Sequence, residues 1–270
     1  MRNITIFLYG GFGNNLSQVN FGSLLESKNY QVKYCDVLTK KNLFTRILGW
    51  NIHDQTHKNL NLSYVNFGFF RLLKIFSTLL ISKILTKNFS SVFYEGDLFV
   101  SKIDEIHLKK FKYFFGYFQS SLLLKKGIKL ELISKINQSK KKDQIAIHMR
   151  GGDYAKNDRL NEDYYIKALQ MIGDSHMQIK VFTNDIKYAE KILNFLNVSN
   201  YEFSNGNPFD DFIEMACSKV IISGNSTFSI WSSICSKAER IFLPKKKTNV
   251  MLSNFDLDEV NQNIEYLSVD

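Results

Sequence analysis

A chain of 270 residues with 44% hydrophobic and 14% aromatic content has the apolar surface for one large domain or two medium ones, which excludes a disordered or fibrous protein. Lys and Arg number 35 against 26 Asp and Glu, and the resulting +9 favours anionic partners such as phosphates, nucleic acid or lipid headgroups. Cys35, Cys217 and Cys235 are odd in number, far apart and form no CxxC, which fits a reducing cytoplasm and excludes a zinc or disulfide framework.

The N-terminal apolar run is too short for a signal peptide and leads into glycines instead of a cleavage site. Residues 4–9 read as the first strand, followed by Gly10, Gly11, Phe12, Gly13, Asn14 and Asn15. Leu16, Val19, Phe21, Leu24 and Leu25 then shift to helical spacing, so the pattern is strand, glycine turn, helix. Such a turn aims free backbone N–H groups at an anion, although its spacing is neither GxGxxG nor a Walker loop. Residues 30–37 read as the second strand. Residues 40–66 are polar and ambiguous; His53 and His57 share helical spacing without an HExxH pattern, so they read as surface histidines. Residues 67–85 are the most membrane-like stretch. Arg71, Lys74 and Lys83 interrupt it, so it reads as a buried or interfacial amphipathic helix and not a span. Residues 91–95 are a short strand candidate. Residues 110–117 lead into Gly116, Tyr117, Phe118, Gln119 and Ser120, and helical stretches follow at 122–125 and 131–137.

The charge run Lys140–Asp143 marks a boundary, dividing the chain into 1–142 and 143–270. Ile145, Ala146 and Ile147 form a short apolar strand that stops at His148, Arg150, Asp153 and Tyr154, with Gly151 and Gly152 allowing a sharp turn. A strand that runs into such a cluster reads as a site, and Arg150 offers a permanently charged fork suited to phosphate; an Arg–Asp pair bracing a turn uses the same residues. Beyond it, helices at 164–173, 188–196, 211–217 and 228–236 alternate with strands at 179–183, 201–203, 220–223 and 240–243. Repeated βαβ units predict a parallel, doubly wound α/β sheet. Its strand ends carry His148 and Arg150, Asn184 and Asp185, and Asn225, Ser226 and Thr227, all at the edge where such sheets bind nucleotides. Gly13 with Asn14, Arg150, and Ser226 with Thr227 together suggest a diphosphate held between two halves, although an N-cap role also accounts for Ser226.

Four stretches resemble the α-1,2-fucosyltransferases, glycosyltransferase family 11. Gly10 to Gln18 resembles the glycine motif GGLGNQxxQ, and Gly116 to Ser120 resembles GYWQS. His148, Arg150, Asp153 and Tyr154 resemble HxRRGDY. Asp211 to Met215 followed by Asn225 to Trp231 resembles DxxLM and NSTFSWW. Thr183, Asn184 and Asp185 stand where the family often has SDD. Order and spacing agree over nearly the whole chain. Gly151 replaces the second Arg of HxRRGDY, Asn15 a Gln, Phe118 a Trp, and Ser218 a common Cys.

The resemblance implies a GT-B architecture of two Rossmann-like halves facing across a cleft, with the acceptor mainly on 1–142 and GDP-fucose on 143–270. It implies an inverting galactoside α-1,2-fucosyltransferase acting on a surface-polysaccharide, O-antigen or other oligosaccharide acceptor, free or lipid-linked. Donor contacts would come from Gly11, Gly13, Asn14, His148, Arg150, Asp185, Asp211, Asn225, Ser226, Thr227 and Phe228. Acceptor contacts would come from Tyr117, Gln119 and Tyr154. Arg150, His148 and Asp153 would be catalytic, with His148 and Asp153 both candidates for the base. No metal or other cofactor is implied, and Asp256-Leu257-Asp258, which spells DxD, reads as coincidental. A cytoplasmic location follows, with peripheral contact at the inner membrane face suited to residues 67–85. Two other readings use the same residues: a non-catalytic GDP-sugar or glycan-binding protein, and a fucosyltransferase of different linkage. The net charge alone would allow nucleic-acid binding, but the Lys runs lack the interleaved aromatics of a single-strand groove, and no nucleic-acid partner is expected.

Overall fold

The alternation of strands and helices is present in the computed structural model, which describes residues 2–47, 56–85, 90–95, 108–119, 130–152, 154, 159–173, 176–245 and 263–268. The chain separates into two compact units, Met1–Leu130 and Glu131–Asp270. This division lies ahead of the Lys140–Asp143 charge run. The helix before that run buries Leu132 and Ile136 with the second unit, and Cys217 Sγ lies 3.8 Å from Ile136 O.

In the first unit, β1 (Arg2–Phe7), α1 (Phe12–Ser27) and β2 (Tyr30–Cys35) form the opening βαβ step. α2 (Leu43–Ile47) and α3 (Phe69–Ile84) precede β3 (Val92–Tyr94) and β4 (Tyr113–Phe115). The sheet order is β2-β1-β4-β3, and every pairing is parallel. β4 is not recognisable in the sequence because its three buried residues, Tyr113, Phe114 and Phe115, are too few to show a period. Aromatic packing builds the core: Phe7 stacks on Phe115 at 4.3 Å, and Phe76 of α3 meets Phe7 edge-on at 5.7 Å. His57 is a correction to the sequence reading, since it is fully buried and Tyr64 donates to its carbonyl at 3.3 Å. His53 lies outside the described residues.

In the second unit, α4 (Leu130–Gln138) leads to β5 (Lys142–Met149), α5 (Glu162–Ile172), β6 (Gln178–Thr183) and α6 (Ile186–Phe195). β7 (Tyr201–Phe203), α7 (Pro208–Ala216), β8 (Ser218–Ile222), α8 (Thr227–Ile234), β9 (Arg240–Pro244) and β10 (Ile264–Leu267) follow. The order β10-β9-β8-β5-β6-β7 is parallel throughout. Side chains such as Ile147, Val181, Ile222 and Phe242 fill the core beside Tyr164 and Tyr165. Four helices start at polar N-caps: Asn161, Asp185, Asn207 and Ser226 each accept a backbone N–H with a side-chain oxygen. The cap explains why α7 begins before Asp211. Asn207 holds the N–H groups of Phe209 and Asp210, and Pro208 occupies the first turn, where no N–H is needed.

Both sheets reverse direction at one place. In the first, β2 lies on one side of β1 and β4 on the other; in the second, β6 and β8 flank β5. Open α/β sheets bind ligands outside the strand C-termini at such switch points. The chain runs straight from β1 into Gly10 and Gly11, from β4 into Gly116 and Tyr117, from β5 into Arg150, and from β8 into Ser223 and Gly224. Topology therefore gathers motifs that are far apart in sequence.

Candidate active site

At the switch point of the first sheet, Gly10 adopts a φ of +80°, a conformation that glycine accepts without strain. Gly11 is the N-cap residue of α1, Gly13 is buried inside that helix, and Asn14 points to the opposite turn. Gln119 donates from Nε2 to Asn14 Oδ1 at 2.7 Å, which joins the β1 and β4 turns. Gln18 strengthens the same join by donating to Gly116 O at 3.0 Å, while Asn15 donates to Tyr9 O at 3.0 Å. The rings of Tyr9 and Tyr117 lie 4.8 Å apart. Five predicted residues, Gly11, Gly13, Asn14, Tyr117 and Gln119, therefore share one edge of this unit.

Glu95 is a part of this edge that the sequence did not reveal. Its buried Oε2 accepts from Tyr117 N at 2.6 Å and Phe118 N at 2.8 Å. These bonds hold the turn where Phe118 takes a φ of +52°, and the ring of Phe118 is stacked on Phe21 at 4.0 Å. A lone Glu after a short strand carries no local signal for that role.

At the switch point of the second sheet, His148 is the penultimate residue of β5 and is buried. Its ring lies 5.6 Å from that of Phe228, and a Cβ at Gly224 would stand 2.6 Å from its Nδ1. Gly224 therefore permits the β8 turn to pass against β5. Burial, with a smaller push from Arg150, lowers the His148 pKa to about 3, so the imidazole is neutral at ordinary pH. Tyr164 braces the same region, its hydroxyl 2.7 Å from Ser223 O and 3.0 Å from Phe242 O.

Arg150 follows β5 and keeps partial access to solvent. Its guanidinium lies 5.2 Å from the centre of the Tyr154 ring. The intervening turn is closed by Tyr154 N donating to Gly151 O at 3.0 Å, and Gly152 adopts a φ of +52°. Asn184 Oδ1 accepts from Gly151 N at 3.1 Å, and Asp185 Oδ2 from Gly152 N at 2.9 Å. Asp185 Oδ1 also caps α6 through Tyr188 N at 3.1 Å. The N–H groups of Gly152 and Tyr188 hold the Asp185 carboxyl below the usual carboxylate range. Arg159, which sequence reasoning missed, clasps the turn from outside: Nη2 donates to Gly152 O at 3.0 Å and Nε to Tyr154 O at 3.1 Å. Asp153 lies outside the described residues.

Asn225 and Ser226 are buried at the start of α8. Ser226 Oγ accepts from Phe228 N at 3.3 Å, so the hydroxyl caps the helix. A net of Ser223, Ser229 and Gly224 O, joined by bonds of 2.9–3.1 Å, fixes the loop in front of it. Thr227 and Phe228 are partly exposed. The N-terminus of α8 and Arg150 therefore flank the same strand pair, an arrangement of helix dipole and guanidinium suited to an anion. Asp211 stands at the outer edge of the sheet, where it accepts from Ser204 Oγ just beyond β7; burial raises its pKa.

The family model described as Glycosyl transferase family 11 matches residues 97–268. The chain belongs to that family. Family 11 membership makes the protein a glycosyltransferase, and the match includes the whole strand pair that carries Arg150 and α8. Among solved structures, E. coli heptosyltransferase WaaC with ADP is similar at 11% identity and a TM-score of 0.51, covering 100% of this chain and 94% of WaaC. That likeness bears on fold, which is GT-B: mixed α/β with two parallel sheets. E. coli ADP-heptose lps heptosyltransferase II is 12% identical with a TM-score of 0.47, covering 98% of this chain and 90% of that one. The NodZ α-1,6-fucosyltransferase co-crystallized with GDP is 12% identical with a TM-score of 0.44, covering 89% and 94%. No curated protein matches the chain at a significant level.

Proposed function

We propose that this family 11 glycosyltransferase moves L-fucose from GDP-β-L-fucose to a galactose-like hydroxyl of a surface-polysaccharide or oligosaccharide acceptor, free or lipid-linked, forming an α-1,2 linkage. The observation that carries the reading is the pairing of Arg150 with the Ser226-capped start of α8 at the switch point of the second sheet. The second unit takes the donor, and Tyr117 and Gln119 are the proposed acceptor contacts of the first. The three free, buried thiols suit the cytoplasm, where such a donor would be met.

The reaction is a single in-line displacement. The acceptor oxygen attacks fucose C1, the bond from C1 to the β-phosphate oxygen breaks with oxocarbenium character, and GDP leaves with the electron pair. Negative charge grows on the β-phosphate. Arg150 and the N–H groups opening α8 stabilise it, and removing one preorganised donor of this kind commonly costs about 3–4 kcal/mol. The acceptor proton passes to a base. His148 is a poor acceptor with a pKa near 3 and serves instead as a neutral wedge that orients the β8 turn. Asp153 is the other candidate for the base. Asp185 reads as a brace of the Arg150 turn, while Asp211, bonded to Ser204 beyond β7, is a proposed contact for ribose or base. Arg150 and the helix terminus offset part of the diphosphate charge, the reading proposed here needs no metal, and EDTA is expected to leave the rate unchanged.

The test is transfer from GDP-fucose to an array of galactose-terminated oligosaccharides, with product linkage determined. Acceptor-dependent GDP release is expected, and Arg150→Ala should lower kcat by about 10²–10³-fold with the fold intact. GDP binding without transfer to any acceptor would replace the enzyme by a binding protein, and a different linkage would correct the specificity.

A further inference from the structure

α3 is committed on one side only. Leu72, Ile75, Phe76 and Leu79 face the core of the first unit at helical spacing. On the opposite side, Phe70 is 84% exposed and Ile84 72%, and Leu73, Leu80 and Ile81 complete one outward apolar stripe. α2 adds Leu43 and Ile47 nearby: Phe44 packs against Phe69 and Phe76 at ring distances of 6.0 and 4.5 Å, while both aliphatic neighbours remain exposed. A contiguous apolar face of this kind on a globular protein marks an interaction surface.

The charge around it identifies the occupant. Among the described residues from Val37 to Tyr94 there are seven Lys and Arg and no acid, and Lys40 is paired with Asp36 at 2.8 Å. Lys41, Arg46 and Lys74 are exposed beside the stripe. Two others are tethered to the fold: Arg71 donates to the Tyr113 hydroxyl at 3.0 Å, and the Lys83 ammonium lies 5.4 Å from the centre of the Tyr94 ring. A second copy of the chain would set one basic face against another and be repelled. A bilayer with anionic headgroups satisfies both features, since it takes Phe, Leu and Ile at the acyl boundary and attracts the flanking cations. No helix among the described residues is long and apolar enough to cross a membrane, and the inner side of α3 is occupied by the core, so the helix would lie along the surface.

We propose that the outward stripe of α3, with the exposed ends of α2, is a docking surface for an anionic membrane. The inference stands on this surface alone and does not depend on the identity of the sugar donor. The test mixes the full chain with vesicles of phosphatidylcholine alone and of phosphatidylcholine with phosphatidylglycerol, followed by sedimentation. The chain should bind the anionic vesicles and lose them as salt screens the cations. Phe70→Ser combined with Ile84→Ser should lower the partition coefficient at least about tenfold, equivalent to about 1.4 kcal/mol, with an unchanged thermal melt. Lys74→Glu should weaken binding to anionic vesicles selectively. Failure to bind anionic vesicles, or equal binding by the double variant, would overturn the proposal. A concentration-dependent dimer that the double variant abolishes would assign the stripe to a second copy instead. Transfer from GDP-fucose to a soluble acceptor should be the same in all these variants, which separates this surface from the proposed reaction.

Discussion

Gly151 stands where the resembling motif has a second Arg, and restoring that Arg is predicted to harm the protein. A Cβ at this position would sit 2.8 Å from Asp185 Cβ, 2.9 Å from Asp185 Oδ2 and 2.9 Å from Tyr188 Cδ1. Those atoms have little freedom to retreat, because Asp185 is held by the N–H groups of Gly152 and Tyr188 at 2.9 and 3.1 Å. The turn must shift instead, which strains the Gly151 N–H bond to Asn184. Overpacking of this kind costs about 1–3 kcal/mol. With a urea slope of about 2 kcal/mol/M, Gly151→Ala should lower the unfolding midpoint by about 0.5–1.5 M, and Gly151→Arg by at least as much. Because Arg150 is the preceding residue, both variants should also lose GDP affinity, measured by calorimetry. A Gly151→Arg protein with an unchanged midpoint and higher transfer would refute this account of the turn.

Arg159→Ala removes the donors to Gly152 O and Tyr154 O and should reduce kcat by up to about 10²-fold and raise donor KM as well, since the turn that carries Arg150 is displaced. Arg159→Lys should rescue little, since one ammonium cannot reproduce the planar fork; full rescue would make the role purely one of charge. For His148, the folded pKa of about 3 lies below the ordinary value of about 6.5, so the unfolded chain binds more protons between them. Its contribution to stability is complete above about pH 6.5 and is lost towards pH 3, at up to about 1.4 kcal/mol per pH unit. Urea midpoints across that window should fall less steeply in His148→Asn, and equal slopes would contradict a neutral buried imidazole. Glu95→Ala leaves the N–H groups of Tyr117 and Phe118 without their acceptor and should cost about 3 kcal/mol, read as a lower melting temperature.

The second unit was largely legible in the sequence because its strands are short apolar runs punctuated by residues with one physical role each. Val220 to Ile222 is buried, and the turn after it holds Gly224 and the Ser226 cap. The first unit was harder. β4 is three residues long, the described parts of the 40–66 stretch mix short turns with α2, and buried polar residues on α1, including Asn15 and Gln18, blur its helical stripe.

By itself the sequence determined the α/β class, the family and the positions of the phosphate-suited turns, because glycine turns, N-caps and strand runs act over a few neighbouring residues. Tertiary structure alone decided which turns meet. Sheet order brings β5 beside β8 and β1 beside β4, so Arg150 gains α8 as a neighbour and Asn14 gains Gln119. It also decided how side chains of no distinctive type are used. Asp185 braces a turn, Glu95 holds another, Arg159 clasps the loop, and the environment of His148 removes its charge. Burial and hydrogen-bond partners belong to the packed chain, and a linear pattern of residue types does not carry them.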